Sequence, residues 1–254
     1  MKNIVNVILR HYGLHITKIK QPIPYYMRHD NFEKIHDLSR PFTGTNTECL
    51  YNMFRAIQYV VKNNIKGAIM ECGVSQGGMM MSAAAALSSM RIIDRELWLY
   101  DTYTGMAKPT ERDKYIKGKK PVMGKWESLD RGTHNAWNAT PLEQVKERME
   151  STGYPKEKMV FVKGRVEDTI PGQIPDHIAI LRLDSDWYES TKHEMRHLFP
   201  RLVKGGVLII DDYGTFQGAR DVVNEYVAEH GISILLINSD KHGSVTGIKY
   251  VELD

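Results

Sequence analysis

Two cysteines, Cys49 and Cys72, are all that 254 residues offer, too few for a disulfide framework, and Cys72 falls inside an apolar run that reads as a core strand. Long hydrophobic stretches are missing as well. Runs such as Ile232–Ile237 are far below the roughly 20 apolar residues that cross a bilayer. The first ten residues hold a short apolar patch without the long core or small-residue cleavage site of a secretory signal. Neither sign of charge dominates: 34 Lys and Arg against 31 Asp and Glu leave +3, which gives no case for nucleic acid. Internal repeats and low-complexity tracts are absent too. These absences leave a soluble, cytoplasmic protein as the expectation. What is present, 42% hydrophobic and 26% charged residues, can bury one large core.

Along the chain the order of elements is regular. Residues 1–44 carry seven Lys and Arg against three acids, with Pro22, Pro24 and Pro41 interrupting any long helix, and read as an N-terminal arm or lid ahead of a domain at 45–254. Thr45-Asn46-Thr47 can cap a helix whose apolar positions, Leu50, Met53, Phe54, Ile57, Val60 and Val61, recur at helical spacing. Strands are expected at 66–72, 97–101, 159–163, 178–184, 206–212, 232–238 and 245–252. Helices are expected at 77–90, 141–151, 187–203 and 217–230, the second of these opened by a Thr140–Glu143 capping box and the last closed by Gly231. Only about six residues separate the last two strands, too few for a parallel crossover, so that pair must be antiparallel. Alternating strands and helices then predict an α/β fold: a doubly wound, seven-stranded sheet with an antiparallel last strand. Residues 102–139 form a long polar connection containing Trp126 and Trp137, the length of a lid or an acceptor loop.

Two of the apolar runs end in pairs of acids, 177–186 in Asp184-Ser185-Asp186 and 205–212 in Asp211-Asp212. Ligands collect at the carboxyl ends of strands in open α/β sheets. If the two strands are neighbours, four carboxylates meet in one small volume and need a cation to neutralise them. Oxygen-only ligands favour Mg²⁺, with Ca²⁺ or Mn²⁺ as substitutes.

The first strand and its loop, 68–78, place glycines at 73, 77 and 78 where a backbone can approach a ligand at a helix N-terminus. The spacing is not the G-x-G-x-x-G of a dinucleotide site. Glu71, two residues before Gly73, would repel a pyrophosphate but suits an ammonium or sulfonium. Asp101, at the end of the next strand, stands where an acid accepts the two ribose hydroxyls of a nucleoside. A cationic amino acid at one end and a ribose at the other describe S-adenosylmethionine.

The Glu-x-Gly-Val-x-x-Gly-Gly loop, Asp-Thr-Tyr-Thr-Gly from Asp101, Glu-Asp-Thr-Ile-Pro at 167–171, Leu-Asp-Ser-Asp-Trp-Tyr-Glu-Ser-Thr at 183–191 and Gly-Gly-Val-Leu-Ile-Ile-Asp-Asp-Tyr at 205–213 occur in order, and with them the chain resembles the macrocin O-methyltransferase (TylF/MycF/NovP-type) family. The resemblance covers roughly residues 45–225 and implies a class I methyltransferase that methylates hydroxyls, typically of natural-product sugars, with S-adenosylmethionine and magnesium. It implies that Glu71, Gly73, Ser75, Gly78 and Asp101 line the donor pocket, that Glu167 and Asp168 lie near the adenine, that Asp184, Asp211 and Asp212 hold the metal, and that Asp186 is the general base. A small-molecule or glycan acceptor and a homodimer or higher homo-oligomer are expected as partners.

Other motifs compete. Asp184-Ser185-Asp186 also resembles the D-x-D metal site of nucleotide-sugar glycosyltransferases, the main alternative. Residues 193–197 match H-E-x-x-H literally, but they lie ~10 Å down a helix from the strand edge with no third ligand following, and are expected on the partly exposed surface of a flanking helix. The Lys run around 114–125 is expected as a solvated loop face able to attract an acidic acceptor.

Overall fold

The computed structural model describes residues 23–28 and 31–250. The first 22 residues of the expected arm and the last two of the final expected strand therefore lie outside the described residues. Seven strands, β1 (Ala68–Cys72), β2 (Leu97–Asp101), β3 (Met159–Lys163), β4 (Ile178–Leu183), β5 (Leu202–Ile210), β6 (Ile237–Asn238) and β7 (Val245–Ile248), form one sheet in the order β3-β2-β1-β4-β5-β7-β6. The ladders from β3 through β5 are parallel, and β7 runs antiparallel to both β5 and β6. The expected doubly wound sheet with its reversed last strand is what forms.

Eight helices accompany the described strands: α1 (Phe32–Ser39), α2 (Thr47–Lys62), α3 (Gly78–Ser89), α4 (Met123–Leu129), α5 (Leu142–Glu150), α6 (Val166–Thr169), α7 (Tyr188–Leu198) and α8 (Gln217–Glu229). Both faces of the sheet are covered. Side chains alternate along β1, so Ile69 joins a core with α1, α2 and α3 while Met70 and Cys72 join a second with α7 and α8. The described end of the expected arm is part of the first core, where Phe32 and Ile35 are buried against Leu50 and Phe54.

Local signals set several boundaries. The Asn46 side chain accepts from Cys49 N at 3.0 Å and starts α2, as its type and place require. Gly231, at φ +59, follows α8 and turns the chain out of it. The expected capping box at Thr140 does not form: Pro141 stays extended as the cap residue, no side chain caps, and α5 starts at Leu142. The helix expected to run to 203 stops at Leu198, because Pro200 has no N–H to continue the ladder, and β5 begins at Leu202. The apolar run 232–238 yields only the two-residue β6, with Leu235 75% and Ile237 60% exposed at the sheet's open edge, where a strand has one partner and burial cannot extend it.

Candidate active site

The order of the strands reverses between β1 and β4, and the carboxyl ends of β1, β2, β4 and β5 share one edge. Asp184 N donates to Cys72 O at 2.9 Å and Asp211 N to Leu183 O at 2.9 Å, so the ladders themselves carry the acids to the same level. One carboxylate oxygen from each of Asp184, Asp211 and Asp212 falls within 4.8 Å of the others, a set that could hold a metal ion. Asp186 joins them by a turn. Its φ is +66, in the left-handed region, and its N–H donates to Asp212 Oδ2 at 3.2 Å.

The cluster contains a cation of its own. Arg182, on β4 and 1% exposed, donates from Nη1 to Glu71 Oε1 and to Asp184 Oδ2 (2.6 Å), and from Nη2 to Asp211 Oδ1 (2.5 Å). Burial alone would disfavour a charged guanidinium, yet three carboxylates hold it firmly protonated. Glu71 is pushed up to about 7 by burial, against the lowering pull of Arg182, and its Oε2 has no hydrogen-bond partner. Asp184, Asp186 and Asp212 lie well above the usual carboxylate range, first through burial and then through one another's charge. The side chains of Asp184 and Asp211 nonetheless stay 22% and 19% exposed, so the cluster opens to the cavity above it.

That cavity, of about 470 Å³, is lined by Glu71, Gly73, Ser75, Asp101 and Glu167 on one side and by Asp184, Asp186, Asp211 and Asp212 on the other. The residues expected for donor and metal thus share one space. Gly73 (φ +85) makes this possible, since a β-carbon there would stand 2.0 Å from the Asp184 carbonyl oxygen. Asp101 accepts from Ser75 N at 2.8 Å and Tyr103 N at 2.7 Å, which ties the glycine loop to β2; burial pushes its carboxyl up, against these bonds.

Two expected donor residues do not line the cavity. Gly78 opens α3 beneath the segment before α2, and a β-carbon there would strike Phe42 O at 2.5 Å, so this glycine serves packing. Asp168 sits on α6 with its side chain exposed.

Residues 102–139 fold over the side of the cavity that holds the aspartates. Trp187 Nε1 donates to Ala107 O at 2.8 Å, Trp126 Nε1 to Met106 O at 2.9 Å, and Ile116 N to Thr215 O at 3.0 Å. The segment presents Tyr115, Trp137 and Lys125 to the cavity beside Phe216, with Lys125 Nζ 3.4 Å from the centre of the Trp137 ring. Of the expected Lys run, Lys125 lines the cavity, whereas Lys114, Lys117, Lys119 and Lys120 are exposed away from it.

The H-E-x-x-H match builds no metal site among the described residues. His193 Nε2 is engaged with Ile170 O at 2.9 Å, and the His197 ring lies 4.5 Å from that of His193. The expectation of a partly exposed helix surface fits the two histidines but not Glu194, which is wholly buried.

The family model described as Macrocin-O-methyltransferase (TylF) matches residues 20–246. The chain belongs to that family. Relatives in it include the 8-demethyl-8-(2,3-dimethoxy-alpha-L-rhamnosyl)-tetracenomycin-C 4'-O-methyltransferase of Streptomyces olivaceus, 33% identical over 72% of this chain and 67% of that one. The demethyldecarbamoylnovobiocin O-methyltransferase of Streptomyces niveus is 30% identical over 76% and 71%. The solved structure of the O-methyltransferase NovP superposes with a TM-score of 0.72 at 28% identity, covering 83% of each chain. As a macrocin O-methyltransferase family member the protein is an O-methyltransferase, and the glycosyltransferase alternative is left without support.

Two residues at or beneath this family member's site carry no site role in the sequence reading, which leaves Arg182 without comment and expects Glu194 on a helix surface. Arg182 had a signal: it is the lone charge in a six-residue strand that is otherwise apolar, and a buried charge requires partners. Glu194 had a weaker one, four positions after Ser190 and one before Met195, both buried on the core face of α7.

Proposed function

We propose that the protein transfers the methyl group of S-adenosylmethionine to a hydroxyl of a sugar, borne by a natural product or a glycan, with Mg²⁺ at the Asp184, Asp211 and Asp212 carboxylates. The single observation that carries this reading is the shared cavity: Glu71, Gly73, Ser75 and Asp101 face the same space as the four aspartates. The relatives' names, which specify O-methylation of a rhamnosyl-tetracenomycin and of a novobiocin precursor, support a sugar-bearing acceptor.

The residues present fit a hard divalent ion. Three carboxylates converge within 4.8 Å, all donors are oxygens, and the single Arg182 guanidinium compensates only part of their charge. When bound, such an ion supplies Lewis acidity that lowers the pKa of a hydroxyl beside it. Ca²⁺ or Mn²⁺ suits the same donors.

The rest falls to the chain itself. An aliphatic hydroxyl is a poor nucleophile near neutrality, while the donor's sulfonium is already activated, so orientation, proton removal and exclusion of water are what the protein must provide. Glu71 places negative charge, including an unpartnered Oε2, where the donor's ammonium would lie. Glu167 lines the cavity on the adenine side. Tyr115, Trp137 and Phe216 give the acceptor side flat apolar walls for a sugar ring. Asp186, next to the metal carboxylates but not needed among them, takes the hydroxyl proton. The oxygen then attacks the methyl carbon, the carbon–sulfur bond breaks, and S-adenosylhomocysteine leaves neutral at sulfur. Holding the partners in line draws on a proximity term of up to roughly 7–11 kcal/mol.

The test is formation of S-adenosylhomocysteine from S-adenosylmethionine with a panel of glycosylated acceptors, in Mg²⁺ and in excess EDTA. Turnover in Mg²⁺ that EDTA abolishes is expected. Undiminished turnover in EDTA would remove the metal from the mechanism, and heat on titrating UDP-sugars but not S-adenosylmethionine would overturn the donor.

A further inference from the structure

The loop that presents Asp186 is held from beneath by a residue of the H-E-x-x-H helix. Glu194, on α7, has no exposed surface, and its Oε2 accepts from Ser185 Oγ at 3.0 Å. Ser185 is the residue between Asp184 and Asp186, and Asp186 is the one whose backbone sits at φ +66, a conformation a non-glycine residue keeps only when its surroundings impose it. Other bonds reach the turn's backbone, with Trp187 N donating to Ser185 O at 2.8 Å, Ser190 Oγ to the same oxygen at 3.2 Å and Asp186 N to Asp212 Oδ2, while Arg182 holds the Asp184 side chain and Ala107 O that of Trp187 on either side. The Ser185 hydroxyl links the middle of the turn to the buried face of α7.

Glu194 is an expensive residue for mere packing. It lies against the Cys72 thiol at the end of β1, a weak donor, and its second oxygen, Oε1, is buried without a strong hydrogen-bond partner. An apolar residue of similar size would be tolerated better at a site with no task. Burial pushes its carboxyl up to about 8, so near pH 7 it is largely the neutral acid, which a glutamine mimics in shape and polarity.

We propose that Glu194, through Ser185, is a positioning residue that fixes the Asp186 carboxylate at the reacting hydroxyl. The inference rests on Asp186 being the base. It predicts a loss in the chemical step with donor binding retained, since the Ser185–Glu194 bond is separate from the Ser75–Asp101 bond that ties the glycine loop to β2. A displacement of about 1 Å at a reacting group costs on the order of 10²-fold, and a general base is worth about 10²–10⁴-fold, which bounds the effect.

The experiment compares Ser185→Ala, Glu194→Leu, their double variant, Glu194→Gln and Asp186→Asn in steady-state kinetics, with calorimetry of S-adenosylmethionine binding. Expected are falls in kcat of roughly 10- to 100-fold for Ser185→Ala and Glu194→Leu, KM values and donor affinity within about twofold of the parent, and a double variant no slower than the worse single one. Glu194→Gln is expected to keep most of the parent's kcat. Should Glu194→Leu fail to fold, Ser185→Ala, which removes one hydroxyl, carries the test alone. Parent-like kcat in Ser185→Ala overturns the proposal, as do multiplicative effects in the double variant. Asp186→Asn separates this failure from failure of the base assignment: if it turns over like the parent, the base lies elsewhere, whatever the other variants do.

Discussion

Replacing Arg182 by methionine keeps much of its volume and removes the one guanidinium shared by Glu71, Asp184 and Asp211. Deleting one partner of a buried ion pair costs about 3–5 kcal/mol, because the remaining charge has neither water nor counter-charge. Three carboxylates are stranded here, two of them partly hydrated, so a loss in the same range is expected, roughly a 10 °C fall in Tm for a chain of this size. The pH dependence gives a second check. Glu71 titrates at about 7 in the fold against 4.5 when unfolded, so between those values the folded state holds a proton that the unfolded chain has released. Stability from this group is therefore present at low pH and lost as pH rises, by at most about 1.4 kcal/mol per pH unit. Without Arg182, whose pull lowers Glu71 and Asp184, both carboxyls rise further and the window of loss extends upward. Urea denaturation of parent and Arg182→Met at pH 5.5, 7 and 8 should show a deficit that grows with pH. A deficit under about 1 kcal/mol at pH 8, or one that shrinks as pH rises, would mean that Arg182 does not stabilise these carboxylates.

Gly73→Ala forces a β-carbon to 2.0 Å from Asp184 O at a left-handed φ; strain and displacement together should cost about 2–5 kcal/mol in urea denaturation and weaken donor binding in calorimetry. Asp186→Asn should lower kcat by about 10²–10⁴-fold with the donor Kd unchanged; an unaltered rate would reassign the base. Glu194 titrates at about 8 in the fold against 4.5 unfolded, so its contribution to stability is lost as pH climbs between those values. Glu194→Gln removes that slope, and its stability relative to the parent should rise from pH 5 to pH 8 in matched denaturation curves.

Much of the scaffold was legible because its signals are local. The runs at β1, β2, β4 and β5 are short, apolar and bounded by glycine or acids, and Asn46 and Gly231 punctuate their helices as residue type alone suggests. The convergence of Asp184, Asp211 and Asp212 was also readable, since adjacent parallel strands ending in acids leave few other arrangements. What escaped was non-local. Arg182 reads as an interruption until β1 and β5 flank it with Glu71 and Asp211. Glu194 reads as surface because charged residues at helical spacing usually are, and only the tertiary turn at Ser185 gives it a partner. Gly78 was assigned to the ligand because glycine loops near helix starts serve both phosphates and packing, and Phe42 O, 36 positions earlier in the chain, decides between them. Boundaries at Thr140 and 199–203 shifted for a similar reason: proline both permits and blocks a first or last turn, according to where the neighbouring backbone is held.

The proposed chemistry depends on the tips of β4 and β5 holding a divalent ion beside the donor. Crystals grown with S-adenosylhomocysteine and Mn²⁺, measured at the manganese absorption edge, test it most directly. One anomalous peak is expected within coordination distance of the Asp184, Asp211 and Asp212 carboxylates, with the nucleoside along Glu71, Gly73 and Asp101. No peak there, or a peak at His193 and His197 instead, would contradict it.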